Sequence, residues 1–95
     1  MKLIKIIKSS NNKKKYDAYF LLDNGKQKKT SFGAAGSSDF LINQDEKRKK
    51  NYRSRHAKDL KTKDPTRAGF LSYYITWNKK NINDSIEDYK KRFNL

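Results

Sequence analysis

Between Lys47 and Lys58, seven of twelve residues are Lys or Arg, and only Tyr52 and Ala57 offer apolar surface. A helix of this composition touches a core along one narrow stripe at most, so the core must come from the residues on either side. The same surplus runs through the chain, with 24 Lys and Arg against 10 Asp and Glu and a net charge of +14. Like charge at that density opposes compaction unless a polyanion supplies the missing negative charge, and nucleic acid is the commonest such partner.

Ninety-five residues predict a single domain with modest burial and little stability to spare. The low apolar content, 34%, would by itself suggest disorder, but six Tyr, five Phe and one Trp are large contributors to a small core. There is no Cys, which excludes disulfides and thiolate metal sites. The Lys-punctuated start, Met1 to Lys8, is unlike a signal peptide, and no stretch approaches the ~18 apolar residues of a membrane span. The expectation is a soluble protein that is not secreted and has no membrane partner. Two basic zones, residues 1–30 and 45–63, flank a nearly neutral segment containing glycines, and residues 64–95 are close to balanced.

The chain divides into a β-meander over 1–32, a glycine-containing connection over 33–44 and a helical part over 45–95. Leu3, Ile4, Ile6 and Ile7 form a first strand between lysines, and Tyr16 to Leu22 a second. Asp23-Asn24-Gly25-Lys26 is a hairpin signal, because Asn and Gly tolerate the positive φ of a two-residue type I′ turn. Such a loop sets Asp23 opposite Lys26, Leu21 opposite Lys28 and Tyr19 opposite Thr30. The face carrying Tyr16, Ala18, Phe20 and Leu22 is the more apolar and is expected to pack inward. Asp45 begins a helix to about Lys58. Asp64-Pro65 predicts a helix from Thr66 to about Asn78, with Phe70, Leu71, Tyr74 and Ile75 on its inner face. Asn81 or Asn83 then caps a last helix, whose stripe is Ile82, Ile86, Tyr89 and Phe93. The fold class is α+β: an N-terminal three-stranded antiparallel meander followed by three helices.

Five pieces together carry a family resemblance: Phe32-Gly33-Ala34-Ala35-Gly36-Ser37-Ser38-Asp39-Phe40, Tyr52-Arg53-Ser54-Arg55-His56, Ala68-Gly69-Phe70-Leu71-Ser72 with Trp77-Asn78-Lys79, Ser85-Ile86 and Lys91-Arg92-Phe93. Over roughly residues 31–93 the chain resembles small basic proteins encoded by large DNA viruses of protists, the mimivirus group among them. Ser37 stands where the resemblance leads one to expect an aromatic residue, and Lys80 where it leads one to expect Pro. The resemblance implies a viral origin and a place in the virion or in the host nucleus or cytoplasm. It adds no mechanism.

The candidate nucleic-acid-binding residues are Lys47, Arg48, Lys49, Lys50, Arg53, Arg55, His56 and Lys58 on the basic helix, with Lys26, Lys28 and Lys29 on the hairpin. Lys and Arg neutralise phosphates and release counterions, and an Arg fork can grip a phosphate with two bonds. The plainer alternatives are a solvated helix face and lysines that protect a sheet edge. Gly33 to Gly36 could form an anion-binding nest or a plain connection, and lacks the ending of a P-loop. His56, the only histidine, could be a packed residue, a phosphate contact or the base of a nuclease. Tyr73, Tyr74 and Trp77 could stack on unpaired bases or fill the core. The expectation is a non-enzymatic protein with no cofactor and no metal. It binds nucleic acid, DNA sooner than RNA and duplex first, without sequence preference, and in a virus would compact the genome. The alternative is a virion structural or adaptor protein whose basic surface meets an acidic or capsid protein.

Overall fold

The computed structural model describes residues 1–95. It is an α+β domain in which a three-stranded antiparallel sheet, order β1-β2-β3, is covered on one face by helices. The strands are β1 (Lys2–Lys8), β2 (Lys14–Leu21) and β3 (Gln27–Ala34). Four helices follow: α1 (Phe40–Asn43), α2 (Glu46–His56), α3 (Ala68–Leu71) and α4 (Ile82–Phe93). A 3₁₀ segment, Ala57–Thr62, prolongs α2, and a π-helical turn, Ser72–Thr76, prolongs α3.

The β2–β3 register differs by one residue from the expected one. The Leu22 amide donates to the Lys26 carbonyl (2.8 Å) and the Gly25 amide to the Leu22 carbonyl (2.9 Å), so the loop holds three residues instead of two. Only Gly25, at φ +82°, takes the left-handed conformation, which is the three-residue hairpin geometry. Leu21 therefore faces Gln27, Tyr19 faces Lys29 and Ala18 faces Thr30. The shift brings Phe32 opposite Tyr16, on the face that also carries Ala18 and Phe20. Ala18, Phe20 and Phe32 are fully buried there, so the expected inward face of β2 is the observed one. In β1 the register slips between Leu3 and Lys5, which turns Leu3 into the core and leaves Ile4 on the surface.

The core joins Leu3, Ala18, Phe20 and Phe32 of the sheet to Leu71, Ile75 and Tyr89 of the helices. The α4 stripe packs as its spacing predicts: Ile82, Ile86 and Phe93 lie against this cluster around the buried Tyr89. Phe93 meets Phe70, Tyr74 and Tyr89 edge-on, with centroids 5.5, 5.1 and 4.9 Å away. Asn81 is the cap, its side-chain Oδ1 accepting from the Asp84 amide at 2.8 Å.

The expected helix from Thr66 starts two residues later. The Asp64 carboxylate accepts from both the amide (2.9 Å) and the hydroxyl (2.7 Å) of Thr66, a local turn that competes with a helix cap. Further on, the Ser72 carbonyl receives both the Trp77 amide (3.0 Å) and the Thr76 hydroxyl (2.9 Å), which widens the last turn into a π-turn. Within the connection, Asp39 caps α1 by accepting from the Ile42 amide at 3.1 Å. That additional short helix makes the expected count of three into four.

Candidate nucleic-acid interface

Helix α2 buries none of its residues. Its start is fixed by Asp45, whose carboxylate accepts from the Lys47 (3.0 Å) and Arg48 (3.2 Å) amides. Tyr52 helps to hold it to the body, lying parallel to Trp77 at 4.4 Å (8°) on one side and to His56 of the same helix at 4.1 Å (24°) on the other. Burial raises the Tyr52 phenol above its ordinary pKa, so the ring remains neutral. His56 is held by Asp59, with Nδ1 3.2 Å from the carboxylate.

The cations of this segment divide into two sets. Arg53 turns inward: its guanidinium donates to the carbonyls of Tyr73 (3.0 Å) and Trp77 (2.9 Å) and lies 4.0 Å over the Tyr73 ring. It closes the end of the π-turn, and its donors are spent on protein. Lys49 sits 4.7 Å over the Phe40 ring and 3.9 Å from the Glu46 carboxylate. Lys47, Arg48, Lys50, Arg55 and Lys58 are all exposed. None of the five has a carboxylate partner, since the side-chain ion pairs of Lys and Arg are confined to Lys15, Lys49, Arg67 and Arg92.

The hairpin lysines are not brought into one row. Lys28 shares the inner face with Phe20 and donates to the Thr66 hydroxyl at 2.9 Å, whereas Lys29, opposite Tyr19, lies on the other face. Lys26 closes the loop between β2 and β3 and is exposed.

Beside α2 the structure forms an open cleft of about 680 Å³, bounded by β2, β3, the glycine connection, α2 and α3. Lys14, Ser37, Ser38, Arg48, Arg55 and His56 stand around it, with Tyr52 and Trp77 in its wall. Gly33, at φ +77°, leaves room for the stem of Lys15, which would lie only 3.2 Å from a β-carbon there. Lys15 reaches Asp39 at 2.6 Å, a pair of which the two side chains are 14% and 3% exposed. Asp59 and the cleft itself are functional candidates that sequence reasoning missed, whereas Lys14 belongs to the basic turn of Lys13 to Lys15 that the sequence already offers as a backbone contact beside the hairpin lysines. A signal was present: Gly33 to Asp39, Tyr52 to His56, Ala68 to Ser72 and Trp77, the pieces that carry the resemblance, all contribute lining residues.

The structure brings together no group of three or more His, Asp or Glu side chains able to hold a metal ion, and no helix is long and apolar enough to cross a membrane. No curated protein and no solved structure shows significant similarity to the chain. Residues 4–56, more than half of the sequence and the part that includes the meander and α2, match the family of unknown function DUF5754, and the chain belongs to that family.

Proposed function

We propose that this protein binds nucleic acid through the solvent face of α2 and of the 3₁₀ turn that prolongs it, without sequence preference, and that in a DNA virus this would serve genome compaction. Supporting the reading is one observation: Lys47, Arg48, Lys50, Arg55 and Lys58 stand exposed and unpaired on one short helical segment. Each can neutralise a phosphate and release its counterion. Arg48 and Arg55 can each offer two parallel donors to one phosphate. Arg53 is left out of the contact set because its donors already serve the Tyr73 and Trp77 carbonyls. Lys28 spends one of its three donors on the Thr66 hydroxyl and faces away from Lys29. A helix bearing only charged and small polar groups outward favours backbone contacts over base readout.

Titration of labelled duplex DNA across a salt series tests this. Five phosphate contacts give a slope of log affinity against log salt of about −4 to −5. Substituting Lys47 and Lys50 together by Ala lowers the slope by about two units. An affinity indifferent to salt removes the reading.

A further inference from the structure

The cleft beside α2 shares Arg48 and Arg55 with the helix face and adds Lys14 and an aromatic wall that phosphate neutralisation along the helix does not use. Its charged lining consists of Lys14, Lys15, Arg48 and Arg55 against Asp39 and Asp59. Both carboxylates are engaged, Asp39 by Lys15 at 2.6 Å and Asp59 by His56 at 3.2 Å. Lys14, Arg48 and Arg55 therefore remain unpaired, and they approach the cleft from two different elements, β2 and α2. The wall next to them is the parallel stack of His56, Tyr52 and Trp77, in which both faces of Tyr52 are covered, Trp77 is 9% exposed and His56, at the end of the stack, is the most open ring. A bare anion would use the cations and leave the aromatic wall idle. An apolar ligand would use the wall and gain nothing from the three cations, which stay exposed to water. A flat heteroaromatic ring carrying a phosphate uses both, and about 680 Å³ is within the usual size of a small-molecule site.

We propose that this cleft is a binding site for one nucleoside phosphate, with the phosphate at Lys14, Arg48 and Arg55 and the base against His56, the end ring of the His56–Tyr52–Trp77 stack. The inference deepens the nucleic-acid reading and rests on it only for the source of the nucleotide. A base inside a duplex has both faces covered by its neighbours, so a nucleotide delivered by a strand is a terminal one or one in a single-stranded stretch.

Trp77 is the only tryptophan, so its fluorescence reports directly on the cleft. The full chain is titrated with adenosine 5′-monophosphate, with inorganic phosphate, with a short 5′-phosphorylated single strand and with a blunt duplex. The monophosphate is expected to change Trp77 emission saturably and to bind about tenfold or more tighter than inorganic phosphate, the share of affinity that ring stacking supplies. K14A/R55A weakens the monophosphate by about tenfold or more, whereas K47A/K50A leaves it unchanged and weakens the duplex. These positions are all exposed, so the variants keep the fold. A single strand that binds more tightly than the monophosphate assigns the nucleotide to a strand, and the reverse order assigns it to the free pool. No binding of the monophosphate, binding equal to that of inorganic phosphate, or indifference to K14A/R55A overturns the proposal. If the monophosphate fails and the duplex still binds with salt dependence, the cleft inference falls alone. If the monophosphate binds and the duplex does not, the strand reading falls alone.

Discussion

A β-carbon on Gly69 would lie 2.9 Å from the Cβ of Asp59. The 3₁₀ segment after α2 therefore rests against α3 at a distance that only glycine allows, and this approach sets where Asp59 meets His56. Gly69→Ala should shift Asp59 and cost up to about 2 kcal/mol net, the overpacking penalty less the gain in helix propensity. Urea denaturation measures the loss, and the His56 imidazole NMR signals should move with it. An unchanged midpoint would mean that the 3₁₀ segment yields freely.

Arg53 and Arg55 stand two residues apart and are predicted to behave oppositely. Arg53→Ala leaves the Tyr73 and Trp77 carbonyls without their charged donor and should cost about 2–3 kcal/mol of stability. Arg53→Lys keeps the charge but not the planar fork, and should recover less than half of that loss. Arg55→Ala should leave stability within about 0.5 kcal/mol of the parent and lower DNA affinity. Denaturation and DNA titration of the three variants separate the two roles.

The sequence made this division invisible, because Arg53 and Arg55 sit in the same basic run and composition treats them alike. Only the π-turn, set by Ser72 accepting from Thr76 and Trp77, presents carbonyls where Arg53 can reach them. The amphipathic stripe of α4 was legible because a 3.6-residue period survives any detail of packing. The hairpin was legible as a hairpin but not in register. Asn24-Gly25 permits both a two-residue and a three-residue loop, and burial of Phe32 beside Phe20 accompanies the three-residue one. The cleft was not legible as a site. Lys14 and Arg55 are far apart in the chain, and only the sheet and α2 together bring them to one opening.

Acid should destabilise the fold through three carboxylates. Asp17 is only 1% exposed, and bonds from Ser31 (2.6 Å) and Ser9 (2.7 Å) hold its pKa below the ordinary value. The Thr66 hydroxyl and amide do the same for Asp64. At Asp88 partial burial pushes upward, but Asn78 and Arg92 outweigh it and the net direction is down. A carboxyl with a depressed folded pKa contributes stability that is complete above its unfolded value, about 3.9, and is lost as pH falls through the folded one. Stability should therefore be level from neutrality to about pH 5 and fall below about pH 4. Asp17→Asn should lower stability at pH 7, and the gap to the parent should close as pH drops below about 4. A gap that stays constant into strong acid would remove Asp17 from this account.

Asp39 does two things at once, since one oxygen caps α1 through the Ile42 amide and the other holds the Lys15 ammonium. Asp39→Ala removes both and leaves a largely buried cation unpaired, which should cost about 3–5 kcal/mol. Asp39→Asn retains an acceptor for the Ile42 amide and should recover about 1 kcal/mol, the usual worth of a cap. Adding Lys15→Met to Asp39→Asn removes the orphaned charge and should recover most of the remainder, because a neutral side chain of similar length fills the same space. Urea denaturation of the three variants gives the values. If Lys15→Met brings no recovery, the ammonium is not what the single substitution strands, and the stability of the glycine connection rests on the cap alone.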